Sequence, residues 1–169
     1  MSVTARLVVG VDGSAGSQAA MGWALNEARL RGAPLHVVLG WDYRPSWAAP
    51  GLGSMFPPVY SAPGDGSAGS ETEAADAAGT VLDAVINFAL AHDADSDAHP
   101  VSITRDVVQG PGAKVLLDEV TDADLLVVGS RGHGGFVGAL LGSVSHQVVS
   151  QAPCPVVVVP NRQETPQAQ

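Results

Sequence analysis

The sequence predicts an α/β fold: a single domain built on a doubly wound, mostly parallel sheet. Three observations predict it. Short, continuous apolar runs recur along the chain, and such runs read as strands buried on both faces. Between them lie stretches with apolar residues at helical spacing. The alternation of the two implies crossover connections, with helices on both faces of the sheet. The 169 residues suffice for one domain with a full-sized core. Hydrophobic residues make up 46% and charged residues 15%, the balance of a globular chain. Aromatics are only 5%, so the core must rest on Val, Leu and Ala.

The run from Arg6 to Val11 is the first strand. Asp12-Gly-Ser14 breaks it, and Ser14 is suited to cap a helix. Met21, Ala24, Leu25 and Ala28 form that helix's apolar face, and Gly32 and Pro34 stop it. Leu35 to Trp41 is the second strand. Residues 42–69 differ in kind, being crowded with Pro and Gly, and read as an insertion over the surface. Trp47, Met55, Phe56 and Tyr60 suit part of it to packing on the body or on a partner. Ser70 and Glu73 have capping-box spacing for a helix running to about His92. Ala78, Val81, Leu82, Val85 and Ala89 are its expected buried face.

Val101 to Thr104 alternates apolar and polar, as an edge strand does. Gly110-Pro-Gly112 opens a short helix with Pro111 in its first turn and Ala113, Leu116, Leu117 and Val120 facing the core. Asp124 to Gly129 is the fourth strand. A glycine-rich loop spans Ser130 to Leu141, and a helix begins near Gly142-Ser143. Val156 to Val159, between Pro155 and Pro160, is the last strand. The tail 161–169 is polar and expected to fray.

The charge balance narrows the function. Eight Lys+Arg stand against 17 Asp+Glu, a net charge of −9. A nucleic-acid-binding surface would need a basic patch. An anion must instead be held by backbone N–H groups or through a metal. The one cysteine, Cys154, allows no internal disulfide and fits a reducing compartment. Met1 to Gly10 lacks a signal-peptide pattern, and no run approaches the ~18–20 apolar residues of a membrane span. A soluble cytoplasmic setting is expected, with no membrane and no nucleic acid as partner.

In a doubly wound sheet, ligands bind beyond the carboxyl ends of the strands, where strand order reverses. The turns there are Val11–Ser14 and Gly129–Ser143, both rich in Gly and Ser. In Gly129-Ser-Arg-Gly-His-Gly-Gly135, glycine allows close backbone approach, and successive N–H groups make an anion-binding concavity. The helix starting at Ser143 adds its first amides and the positive end of its dipole. The loop matches neither a Walker sequence, since the sole lysine is Lys114, nor a dinucleotide fingerprint.

Gly129-x-x-Gly132, nine residues, then Gly142-Ser143 resembles the G-2x-G-9x-G-[S/T] signature of the ATP-binding universal stress proteins. Val8-Val-Gly-Val-Asp-Gly-Ser14, Gly110-Pro-Gly112 and Ala152-Pro-Cys-Pro-Val-Val-Val158 are similar to other parts of that family. The resemblance covers about Arg6 to Pro160. It implies one domain over 1–160, with an adenine nucleotide alpha hydrolase-like sheet ordered 3-2-1-4-5. It also implies the ligand contacts. Asp12, with Val11 beside it, would sit by ribose or phosphates. The backbone at Gly40 would meet the adenine edge. Gly129, Ser130, Arg131, Gly132, His133, Gly134 and Gly135 would wrap ribose and phosphates. Ser143 and the Val144 N–H would bind phosphate beside Gly142. Gly10 would let strand one pass close to the nucleotide, and Gly110 would line the cleft.

Each residue also has a plainer reading. Asp12 could be a turn former, but the facing loop favours a site, with Mg²⁺ between its carboxylate and the phosphates. Arg131 could be a ligand contact or a solvated residue. His133 reads better as a surface histidine. His36, His92, His99 and His146 lack metal-ligand spacing, so no zinc site is expected. Asp93, Asp95 and Asp97 read as a solvated turn, Cys154 as a buried structural thiol in a strand between Pro153 and Pro155, and Trp23 as core.

The expected function is ATP binding in a regulatory or stress-response role, with a partner protein the sequence does not name. No dedicated catalytic apparatus is evident. Slow ATP hydrolysis or phosphotransfer at the same site, and an interaction module without nucleotide, are the alternatives. The apolar last strand Val156–Val159 would form a sheet edge, and the family often dimerises there. A homodimer is therefore expected.

Overall fold

The computed structural model describes residues 5–42, 71–93, 100–122, 124–132 and 140–161. Most of the 42–69 insertion, Ser70 of the capping box, the acidic residues 95 and 97, His99, His133, Gly134, Gly135 and the tail beyond 161 lie outside them. The elements alternate as the apolar pattern demands: β1 (Leu7–Gly10), α1 (Ala15–Arg31), β2 (Leu35–Trp41), α2 (Glu71–Ala91), β3 (Ile103–Gln109), α3 (Gly112–Glu119), β4 (Leu125–Gly129), α4 (Ser143–Gln151) and β5 (Val156–Val159). All five strands are parallel, in the order β3-β2-β1-β4-β5.

Alternating side chains feed two cores, because successive residues of a strand point to opposite faces. Leu7, Val9, Val37, Leu39 and Val127 pack with Met21 and Leu25 of α1 and Leu82 and Val85 of α2. Val8, Val38, Leu126 and Val128 pack on the other face with Leu116 of α3 and Val148 of α4. The first and fourth strands are apolar throughout because both faces are covered. Trp23 is only partly buried against the first core.

Local signals hold at the helix ends. The Ser14 hydroxyl accepts the Ser17 N–H at 3.2 Å, and Gly32 caps the carboxyl end of α1. Pro111 stands one residue before α3, as its cap, rather than inside the first turn. On α2, Ile86 joins the expected buried face, while Val81 is only half-buried.

Three expectations are corrected. The third strand is not Val101–Thr104 but Ile103–Gln109, paired along the whole of β2 from Leu35↔Ile103 to Trp41↔Gln109. Parallel pairing is a backbone property, so it continues past the alternating stretch through Arg105 and Asp106. Cys154 does not lie in a strand; it is buried in the turn before β5. Finally, α2, at 21 residues, is long and apolar enough by length and composition to cross a membrane. Asp76 and Asp83 interrupt its run of alanines and aliphatics, and one stripe of it covers the sheet.

Burial pushes the Cys154 thiol pKa up, and the nearby Asp124 carboxylate adds to the shift. The raised value favours the neutral thiol in the folded state. That contribution to stability is complete below the unfolded pKa and is lost as pH rises through the folded one, an alkaline window. Iodoacetamide should therefore label Cys154 slowly in the native protein at pH 8 and quickly in urea, as mass spectrometry would show.

Candidate functional site

Parallel strands place every following helix start at one end of the sheet. Thus α1, α3 and α4 all begin beyond the carboxyl ends of β1, β3 and β4. The first amides of an α-helix have no intrahelical acceptor, and its dipole is positive there. At α4 the preceding residue is Gly142, which has no side chain to cap them. A Cβ on Gly112, at the start of α3, would lie 3.6 Å from Val144 Cγ2, so the starts of α3 and α4 are side by side.

The β1 turn is built around Asp12. Its Oδ1 accepts the Ser14 N–H at 2.9 Å, and Gly13 takes a φ of 84°, which glycine adopts without strain. The turn-forming role of Asp12 is therefore real. Its other oxygen faces the β4 turn: a Cβ on Gly132 would lie 2.3 Å from Asp12 Oδ2. A Cβ on Gly129 would lie 2.7 Å from the carbonyl of Gly16, and one on Gly16 would lie 2.2 Å from the carbonyl oxygen of Arg131. The first turn of α1 thus rests against the end of β4, and no side chain fits between them.

Ser130 fixes the return of the loop. Its carbonyl accepts the Gly142 N–H at 2.7 Å and the Ser145 hydroxyl at 3.0 Å, while its own N–H donates to Val159 at 2.8 Å. The start of α4 is thereby tied to the end of β4. Ser143 and Val144 are exposed just beyond this clasp. Val11 is buried, and its N–H donates to Val38.

The expected residues Val11, Asp12, Gly129, Ser130, Arg131, Gly132, Gly142, Ser143 and Val144 come together around this junction. Gly40 and Gly110 form a neighbouring one. The Gly110 N–H donates to the Trp41 carbonyl at 2.7 Å, and a Cβ on Gly40 would lie 2.9 Å from Gly112 Cα. Gly110 itself has a φ of 147°. Gly10 differs, since the space its Cβ would fill is taken by Leu116 Cδ1 at 2.6 Å. Its bareness serves the seating of α3. His133, Gly134 and Gly135 lie outside the described residues.

Sequence reasoning missed Gly16 and Ser145. A glycine inside the first turn of a helix, where alanine would be more stable, is the signal that could have found Gly16. Ser145, 2% exposed on a polar-looking helix, gives no such sign.

Residues 4–160 match the model of the universal stress protein family. A universal stress protein of Mycobacterium tuberculosis is 32% identical over 166 residues, covering 91% of this chain and 47% of its own length. One from Mycolicibacterium smegmatis is 34% identical over 154 residues, covering 90% and 45%. The chain therefore spans about half the length of the curated relatives it matches. Among solved structures, the universal stress protein UspA of Lactobacillus plantarum superposes with a TM-score of 0.58 at 23% identity, covering 92% of this chain and 97% of its own. A universal stress protein solved in complex with cAMP gives 0.52 at 24% identity, covering 95% and 99%.

The junction's dependence on missing side chains can be tested within one pair of variants. Gly129→Ala should destabilise the fold by about 1–3 kcal/mol, since its Cβ meets backbone that cannot yield cheaply. Gly22→Ala, with nothing within 4 Å of the new methyl in the middle of α1, should stabilise it by about 0.5–1 kcal/mol. Urea unfolding curves would show the opposite signs.

Proposed function

The chain belongs to the universal stress protein family, and on that premise we propose that the junction of the Asp12 turn, the Gly129–Gly132 turn and the start of α4 binds ATP as a regulatory signal. One observation carries the reading: backbone amides and helix starts converge where glycines keep side chains out. An acidic chain can hold an anion there with few cations of its own. The cAMP complex of a fold relative supports an adenine nucleotide as the ligand class.

In this reading the Gly129–Gly135 turn wraps ribose and phosphates, with Arg131 as its cation. The Ser143 hydroxyl and the Val144 N–H take a phosphate at the positive end of α4. The backbone at Gly40 and Gly110 borders the adenine side. Asp12 lies close enough to Gly132 for its carboxylate to repel a bare triphosphate, a conflict that Mg²⁺ between them removes. A bound Mg²⁺ would supply charge neutralisation; the chain's own part is to position and cradle. The nucleotide then sets a conformation that a partner protein reads, in a cytoplasmic stress response.

Two copies of the chain are proposed to pair through β5. This edge strand is four valines, each only half-buried. An apolar edge invites such pairing. Sedimentation at micromolar concentration should give twice the 17.1 kDa chain mass; a monomer would remove this part of the reading.

Gly132→Asp adds bulk and charge in the proposed phosphate cradle. Mg-ATP titrated calorimetrically should bind the variant at least about tenfold more weakly, a change of roughly 1.4 kcal/mol or more. Unchanged affinity in a folded variant would place the nucleotide elsewhere.

A further inference from the structure

A second cluster lies at the opposite end of the sheet. His36 is the second residue of β2, between Val8 of β1 and Thr104 of β3, on the face covered by α3 and α4. Its side chain is 6% exposed. The ring is fixed by Nδ1, which stands 2.9 Å from Thr104 Oγ1. Its Nε2 is buried and has no hydrogen-bond partner among the described residues. A buried polar atom left in that state is costly.

Two carboxylates flank this nitrogen without lying on a hydrogen-bond line to it. Glu119 Oε2 is 3.4 Å away and Asp106 Oδ2 is 3.5 Å away. One nitrogen and two oxygens, all within 4.8 Å of one another, therefore converge from β2, β3 and the last residue of α3. We propose that His36 Nε2, Asp106 and Glu119 bind one divalent first-row transition ion, with Zn²⁺ as its reference.

The spacing fits such an ion. Zn–N and Zn–O bonds of about 2.0–2.2 Å at a tetrahedral angle put ligand atoms about 3.3–3.5 Å apart. When Nδ1 donates its proton to Thr104, Nε2 carries the lone pair that a metal needs, and the hydroxyl acts as the supporting partner that orients the ring. Two carboxylates balance the 2+ charge. Glu119 also sits at the negative end of the α3 dipole, which favours a cation. Arg6 does not compete: it donates to the Glu119 backbone carbonyl at 2.5 Å, and its charge is met by Asp124 at 3.2 Å. The Asp106 side chain is 58% exposed, so the site opens to solvent for entry and for a water as fourth ligand.

Calorimetric titration of Zn²⁺ into the chelator-treated full chain, without nucleotide, tests this. One saturable site is expected. Asp106→Asn, an exposed change that leaves the core intact, and Glu119→Gln should each weaken it by about tenfold or more. His146→Gln, on the exposed face of α4, should leave it unchanged. In ¹⁵N spectra the His36 Nε2 resonance should move on Zn²⁺ addition. Absence of saturable binding, affinity unaltered in both carboxylate variants, or loss in His146→Gln alone would overturn the proposal. So would a doubly protonated His36 whose nitrogen resonances ignore Zn²⁺, which would make the cluster an ion pair.

Discussion

The candidate site depends on one steric constraint: the first turn of α1 and the end of β4 touch backbone to backbone. Gly16 and Gly129 share a space that would not admit a Cβ from either side, and Gly132 leaves room for the carboxylate of Asp12. Close packing makes such contacts unforgiving, since neighbouring backbone relaxes little. The β1 turn is locked by its own Asp12–Ser14 hydrogen bond, and the β4 turn by the Ser130 clasp on α4. Two turns distant in sequence are thus brought together, each held by its own hydrogen bonds.

In the proposed reading, the same topology lets so acidic a chain attract an anion. Parallel strands send every helix back from the same end, so helix dipoles point their positive ends into one region. Both sheet faces are covered, and Val11 and Val128 at the strand ends are buried. Fixed dipoles there act with less screening than surface charges would. At the far end of the sheet the polarity reverses. The carboxyl end of α3 brings Glu119 beside His36, where cations rather than anions are favoured.

Much of the fold was legible because burial on both faces leaves an uninterrupted apolar signature. Leu7 to Gly10 and Leu125 to Gly129 show this, and α1 carried its cap and stop residues in sequence. The third strand was harder to bound, because Arg105 and Asp106 are exposed at the sheet edge, where backbone pairing rather than apolar burial sets the strand's extent. Of the site, the glycine spacing after β4 and the Asp12 turn could be read directly. The packing at Gly10 could not, since the side chain that fills its space, Leu116, is distant in sequence. The His36 cluster was equally hidden: its three donors come from three elements, with no common spacing for a motif to record.

The most direct test of the central claim is to purify the protein without added nucleotide, denature it, and identify what is released by chromatography and mass. Near-stoichiometric ATP is the expected result. A protein that releases no nucleotide, and whose melting temperature does not change with Mg-ATP, would contradict the account and leave the glycine junction as a feature of packing alone.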